Sequence, residues 1–258
     1  MRFIDTHAHL DHKRLLAQEK RLLTELPKAG VDKVIIPAIT YESSFSARET
    51  FDPVPWIYYG PGIHPNKVPM LREMDSICME GLYDLSQQPK SVALKTGLDY
   101  YRTIEPELQA RQRDWFQRIL TIALDVGLPL ILHIRQADAD AFQILKAMGG
   151  RYTGVVHCFN GAYETAVRYA DMGFCVGIGG AVTYDLPALQ DAVARIPMDR
   201  ILLETDAPFV RPTVITNGPN TPEYLPIIAQ TIAELRGTDV ESVAEDTTMN
   251  AYRVFGLQ

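Results

Sequence analysis

The chain has 258 residues, with 25 Lys and Arg against 32 Asp and Glu for a net charge of −7, and 47% of its residues are hydrophobic. That balance allows a large buried core and excludes a disordered, collagen-like or basic-tailed chain. The acidic excess argues against coating of duplex nucleic acid, which rests on many Lys and Arg at phosphates, but permits a substrate gripped at one small site.

Three widely spaced cysteines, Cys78, Cys158 and Cys175, form no CxxC pair and imply a reducing compartment. The opening MRFIDTHAHLDHKR meets charge too early for a signal-peptide apolar region. No run approaches the roughly 18–20 apolar residues that span a bilayer. The expectation is a cytoplasmic protein with no membrane association and no obligate protein partner.

In chain order, an apolar run at 3–6 precedes a helix-like segment at 14–29, and a run at 33–38 precedes one at 41–50. The pattern continues as 56–62 with 71–88, 91–97 with 105–126, 129–134 with 137–149, and 154–159 with 162–172. Runs at 174–179 and 200–206 are followed by segments at 187–195 and 222–236, and a final helix lies near 240–253. The runs are rich in Val, Ile and Leu without strict alternation, as in parallel strands buried on both faces. Thr221 suits an N-cap, Pro222 a first turn and Gly237 a C-terminal stop. Eight strand–helix units in about 250 residues predict a TIM (β/α)8 barrel, one domain over 1–258. A doubly wound sheet is the alternative, but DTHAHL is not the Gly-rich loop that fold carries after its first strand. The proline-rich stretch 208–222 reads as a long loop after the last strand.

Five of the six histidines fall at the carboxyl ends of predicted strands: His7 and His9, His64, His133 and His157. Those ends converge on one face of a barrel, where active sites sit. Residues two apart on a strand share a face, so His7 and His9 can hold one cation. His133 and His157 add nitrogens from across the barrel and Asp206 a carboxylate, a mixed set that favours zinc or another first-row ion over calcium. Asp5 either tunes the ligand shell or caps the strand end, and His12, Lys13 and Arg14 read as solvated loop residues.

In this order, DTHAHL, GIHP, GLDYYR, LILHIR, HCFNG and LLETDAP resemble the TatD-type deoxyribonucleases of the metal-dependent amidohydrolase superfamily, over essentially the whole chain. The resemblance implies a TIM barrel with one or two divalent ions (zinc first, magnesium or manganese as alternatives) and hydrolysis, often of DNA phosphodiesters. Carried over by motif, His7, His9 and Asp206 bind one metal, and His133 and His157 the second. The family usually has a metal-bridging Glu three residues before the Leu of GLDYYR; here Lys95 stands at that position. An ammonium has no lone pair and repels cations. Three readings follow: a carbamate formed with CO₂ that bridges the metals, an ammonium replacing one metal, or a degenerate site.

Around this centre, His64 is read as contacting substrate or positioning the attacking water, with a turn-side histidine as the alternative. Arg135, two residues past His133, either holds a phosphate bidentately or pairs with a loop acid. Glu204 shares a face with Asp206 and is assigned to the substrate side of the site or to orienting a ligand histidine. Asn160 either meets substrate or caps the helix at 162–172, the latter being favoured. GIGG at 177–180 reads as a strand-end turn, Asp99 and Arg102 as a pair or substrate contacts, Tyr100 and Tyr101 as rim packing or base-stacking, and Cys158 as core. The expected reaction is hydrolysis by metal-activated water, with Asp206 ligating and accepting the proton and His64 assisting. Short or single-stranded DNA or another small phosphoester is the expected substrate. The rivals are a lactone, amide or phosphate-ester hydrolase with carboxylated Lys95, and a non-catalytic relative.

Overall fold

A computed structural model of the chain describes residues 1–71 and 75–258. Eight parallel strands alternate with helices: β1 (Phe3–Asp5), β2 (Val31–Pro37), β3 (Ile57–Gly60), β4 (Leu94–Asp99), β5 (Leu130–Arg135), β6 (Gly154–Val156), β7 (Phe174–Ile178) and β8 (Ile201–Leu203). Strands β1 to β3 pair in order, as do β4 to β8. Two seams join the sets. At one, Lys95 N–H donates to the Pro61 carbonyl (2.8 Å); at the other, Thr6 N–H donates to Leu203 O (3.0 Å) and Asp206 N–H to His7 O (2.8 Å). The result is the expected closed TIM barrel, a single domain.

The helices are α1 (Lys13–Leu16), α2 (Glu19–Lys28), α3 (Tyr41–Phe51), α4 (Asp75–Ser86), α5 (Pro106–Val126), α6 (Asp138–Met148), α7 (Tyr163–Asp171), α8 (Pro187–Arg195), α9 (Leu225–Arg236) and α10 (Val240–Phe255). The segment expected over 14–29 is split into α1 and α2, and His12 is the N-cap of α1, its Nδ1 accepting from Arg14 N–H. This corrects the reading of His12, Lys13 and Arg14 as plain loop. Residues 72–74 of the helix expected over 71–88 lie outside the described residues. Thr221 is extended but makes no side-chain cap; its hydroxyl donates to Glu223, and a 3₁₀ turn (Pro222–Tyr224) precedes α9. Gly237 ends α9 in the left-handed conformation, as expected.

Two packed layers explain the near-continuous apolar strands. Outward side chains meet the helices in one large cluster. Inward ones (Ile4, Ile35, Tyr58, Ile131, Val155 and Leu202 among them) form a second cluster closed by Phe255 and Leu257 at the foot of the barrel. With its amino-terminal end plugged, the barrel opens at the opposite end, where the strands stop contributing apolar residues. No helix among the described residues is long and apolar enough to cross a membrane.

Candidate metal centre

Above the apolar plug, polar side chains on β4 and β5 and just past β1, β3, β6 and β8 line the mouth. On β4, Lys95 and Asp99 stand in register with Ile131 and Arg135 of β5, and Gly97 with His133. Gly97 has φ +149°, and a Cβ there would collide with the His133 backbone, so glycine lets β4 lie tight against the strand carrying the imidazole. The chain bends at Thr6 and His7 just past β1, and both His7 and His9 turn inward and are buried. Asp206, left-handed at φ +53°, sits past β8 with its Oδ1 3.7 Å from His7 Nε2 and 3.6 Å from His9 Nε2. The cis Ala207–Pro208 bond follows, and the Asn220 amide donates to the carbonyls of Thr205 (2.7 Å) and Phe209 (2.6 Å), lacing the long loop to the barrel. Nothing in the sequence singled out Asn220.

Five histidines share the mouth. His7 stacks on His157 with centroids 3.8 Å apart, and His64 lies 4.2 Å from His133. His133 Nδ1 is 3.0 Å from His157 Nε2, and its Nε2 is 3.2 Å from Asp99 Oδ2. Lys95 is 1% exposed, with Nζ 3.3 Å from His7 Nε2. Ligand atoms of His7, His157 and Asp206 lie within 4.8 Å of one another, as do those of His64, Asp99 and His133.

Burial sets the charge states. It pulls His7 and His157 well below the ordinary imidazole range, helped by Lys95 for both and by the stacked partner ring for His157. His64 and His133 are also lowered by burial, although Asp99 works against it for His133. These rings are therefore neutral, the form that binds metal. Burial likewise drives Lys95 down to about 7, outweighing Asp206 and Glu204, so a substantial share of neutral amine coexists with ammonium near neutral pH. Asp5 is raised to about 7 by burial, against three hydrogen bonds from His7 N–H (3.1 Å), Thr205 N–H (3.0 Å) and Thr205 Oγ1 (2.6 Å). It clamps the β1–β8 seam beneath the ligands rather than facing them.

The donor set fits a divalent ion. Nδ1 of His7, His9 and His157 and Oε2 of Glu204 are buried without a protein hydrogen-bond partner. Imidazoles and carboxylates pressed together this closely need a cation or protons to satisfy their lone pairs. Ammonium at Lys95 is the one member that does not fit.

Several assignments change at this resolution of detail. Glu204 is wholly buried; it accepts from Cys158 N–H (2.6 Å) and stands 3.8 Å from His157 Nδ1, so it backs a histidine and cannot touch substrate. A Cβ at Gly177 would strike its carboxylate, which accounts for one glycine of GIGG; the motif ends β7, as expected. Asn160 does not cap α7, whose N-cap is Ala162 without a side-chain bond. It lines instead a cavity of about 290 Å³ with Arg135, Tyr101 and Cys158. Cys158 has φ +51°, and this left-handed turn breaks the alternation that would have sent it to the core. Arg135 lies over the exposed Tyr101 ring at 3.8 Å and has no acid partner among the described residues. Asp99 accepts from the backbone N–H of Arg102 (3.0 Å), not from its guanidinium, and Tyr100 donates to Asp140 (2.6 Å) in rim packing.

Barrel and donor cluster together define a metal-dependent hydrolase of the amidohydrolase fold. The family model described as TatD related DNase matches residues 4–256. The chain belongs to the TatD-related DNase family. It is 34% identical over 265 residues to YcfH of Escherichia coli, an uncharacterized metal-dependent hydrolase, covering 100% of this chain and 97% of that one. It is 32% identical over 256 residues to YabD of Bacillus subtilis, described in the same words, with 98% of each covered. The crystal structure of YjjV, a TatD homologue from Escherichia coli, superposes with a TM-score of 0.89 at 30% identity, over 99% of this chain and 98% of that one.

Proposed function

We propose that the protein hydrolyses phosphodiester bonds in short or single-stranded DNA, or in a small phosphoester of the same chemistry. The observation that carries this reading is the exposed Arg135 guanidinium, stacked on Tyr101 beside Asn160 and unpaired with any acid among the described residues, at the edge of a buried His/Asp cluster. Such a guanidinium suits bidentate capture of a phosphate, while the aromatic face below it suits a base.

His7, His9 and Asp206 would hold one divalent ion and His133 and His157 a second. When bound, such ions supply Lewis-acid activation of water and of the phosphoryl oxygens. Asp206, the most open of the acids in the cluster with 15% side-chain exposure, takes the proton of the attacking water. His64 accepts from Asn66 N–H at Nδ1 (3.2 Å), so the neutral ring carries its proton on Nε2 and can donate a hydrogen bond from it to a phosphoryl oxygen rather than acting as a base. Arg135 holds the substrate phosphate in place through its guanidinium.

Lys95 favours a second reading of the same centre. A neutral amine attacks CO₂ at carbon; the N–C bond forms, the amine loses a proton, and the carbamate carries one negative charge. Beside His7 (Lys95 Nζ to His7 Nε2, 3.3 Å), that carbamate would supply the anion the motif otherwise lacks for holding metal, and such a centre would also serve lactone or amide hydrolysis.

Chelator-treated protein should lose activity on a 5′-labelled single-stranded oligonucleotide and recover it with zinc, manganese or magnesium. A panel adding a phosphomonoester and a lactone decides the class. Turnover of the lactone alone refutes the phosphodiester reading, and purification without bound metal and without activity refutes both.

A further inference from the structure

His133 is held at both ends. Its Nε2 lies 3.2 Å from Asp99 Oδ2, and its Nδ1 lies 3.0 Å from His157 Nε2. Asp99 itself has little freedom. It is 1% exposed, its Oδ1 accepts from Arg102 N–H (3.0 Å), and its own N–H donates to Gln112 Oε1 (2.8 Å). Gln112, fully buried on α5, is fixed in turn by donating to Thr103 Oγ1 (2.8 Å). The carboxylate is thus anchored from behind, with one oxygen left for the imidazole.

We infer that Asp99 is a positioning residue that holds His133 in its Nε2–H tautomer and so aims the bare Nδ1 at the space shared with His157 Nε2. The inference rests on reading His133 and His157 as holders of one ion. Metal-binding histidines characteristically donate their other ring N–H to a carboxylate, which fixes both tautomer and ring orientation. Within the His64, Asp99 and His133 group, which also lies within ligand distance, several donor atoms are already engaged in protein hydrogen bonds. Arg102 N–H occupies one oxygen of Asp99, His133 the other, and Asn66 N–H occupies Nδ1 of His64.

The anchoring yields an inverted order of severity among variants. In Asp99→Asn the amide must keep its oxygen toward Arg102 N–H, which turns its NH₂ toward His133. That NH₂ donates to Nε2, drives the ring proton to Nδ1, and blocks the lone pair facing His157. In Asp99→Ala neither tautomer is enforced. The near-isosteric substitution is therefore expected to harm the site more than the truncation, whereas a packing role would give the reverse.

Imidazole nitrogen-15 spectra of the metal-free full-length protein should show His133 protonated at Nε2, and Asp99→Asn should move the proton to Nδ1. Zinc competition against a chromophoric chelator should show about 10–100-fold weaker binding of one zinc in Asp99→Asn, with a smaller loss in Asp99→Ala. An Nδ1–H tautomer in the parent protein, an unchanged tautomer in Asp99→Asn, or an equal or larger loss in Asp99→Ala overturns the inference. Undiminished zinc content in His133→Ala overturns the underlying ion assignment instead, so the two failures are separable.

Discussion

Lys95→Met tests the charge logic of the centre without asking for turnover. The amine is 1% exposed, and burial lowers its pKa from 10.5 to about 7. That drop corresponds to about 4–5 kcal/mol against the charged form in the folded state. The sign follows from the depression: the folded protein disfavours the proton that the unfolded chain binds below pH 10.5. The penalty is negligible above that pH, grows to about 2 kcal/mol near pH 9, and is nearly complete at pH 7 and below. Relaxation and water entry reduce such penalties in real interiors. Lys95→Met, which keeps the length and discards the charge, should therefore gain about 2–4 kcal/mol at pH 6.5 and less than about 1 kcal/mol at pH 10. Urea unfolding of chelator-treated protein in CO₂-free buffer at the two pH values measures both. Loss of stability at pH 6.5, or an equal gain at both pH values, would refute the picture of a buried amine held against its preferred charge.

Asp206→Asn should lower phosphodiester turnover by at least about 100-fold, as loss of a proton acceptor does, with an unchanged circular dichroism spectrum. Unaltered turnover would remove Asp206 from the chemistry. The carboxyl of Asp5 is raised to about 7, so its favourable contribution is full below pH 3.8 and is lost as pH rises towards 7; Asp5→Asn should flatten the fall in stability across that window, measured by thermal unfolding in metal-free buffer. Arg135→Ala should raise KM for an oligonucleotide more than it lowers kcat, and an equal fall in kcat alone would place Arg135 outside substrate binding. Glu204→Ala, which orphans the Cys158 N–H, should cost about 1–3 kcal/mol by chemical denaturation.

Much of this centre was legible because barrel strands carry their chemistry at one end. His7, His9, His133, His157 and Asp206 share a mouth because each lies on or just past the carboxyl end of an apolar strand pointing the same way. Side chains that act on other side chains were harder to read. Asp99 lies on the same face of β4 as Lys95, which alternation alone implies, yet its partner His133 depends on the β4–β5 register, invisible in one sequence. The Asp5–Thr205 clamp joins residues 200 apart along the chain. Cys158 was misplaced because a left-handed residue breaks the two-residue rhythm, and Thr221 because an intervening 3₁₀ turn displaced the helix start. The helix end set by Gly237 was read correctly, since glycine takes the left-handed C-cap without strain, and the segment expected over 187–195 matches α8.

The β1–β8 seam has a consequence for biogenesis. The backbones of His7 and Asp206 bond to each other across it, and each supplies a member of the same donor trio. A nascent chain therefore lacks the complete trio until residue 206 has left the ribosome, and must then close a loop of nearly the whole barrel, an entropic cost that grows only slowly with loop length. An early β1–β3 fragment offers His7, His9 and His64 but none of the carboxylates brought by β8. The donor trio of His7, His157 and Asp206 is thus complete only when the last seam closes.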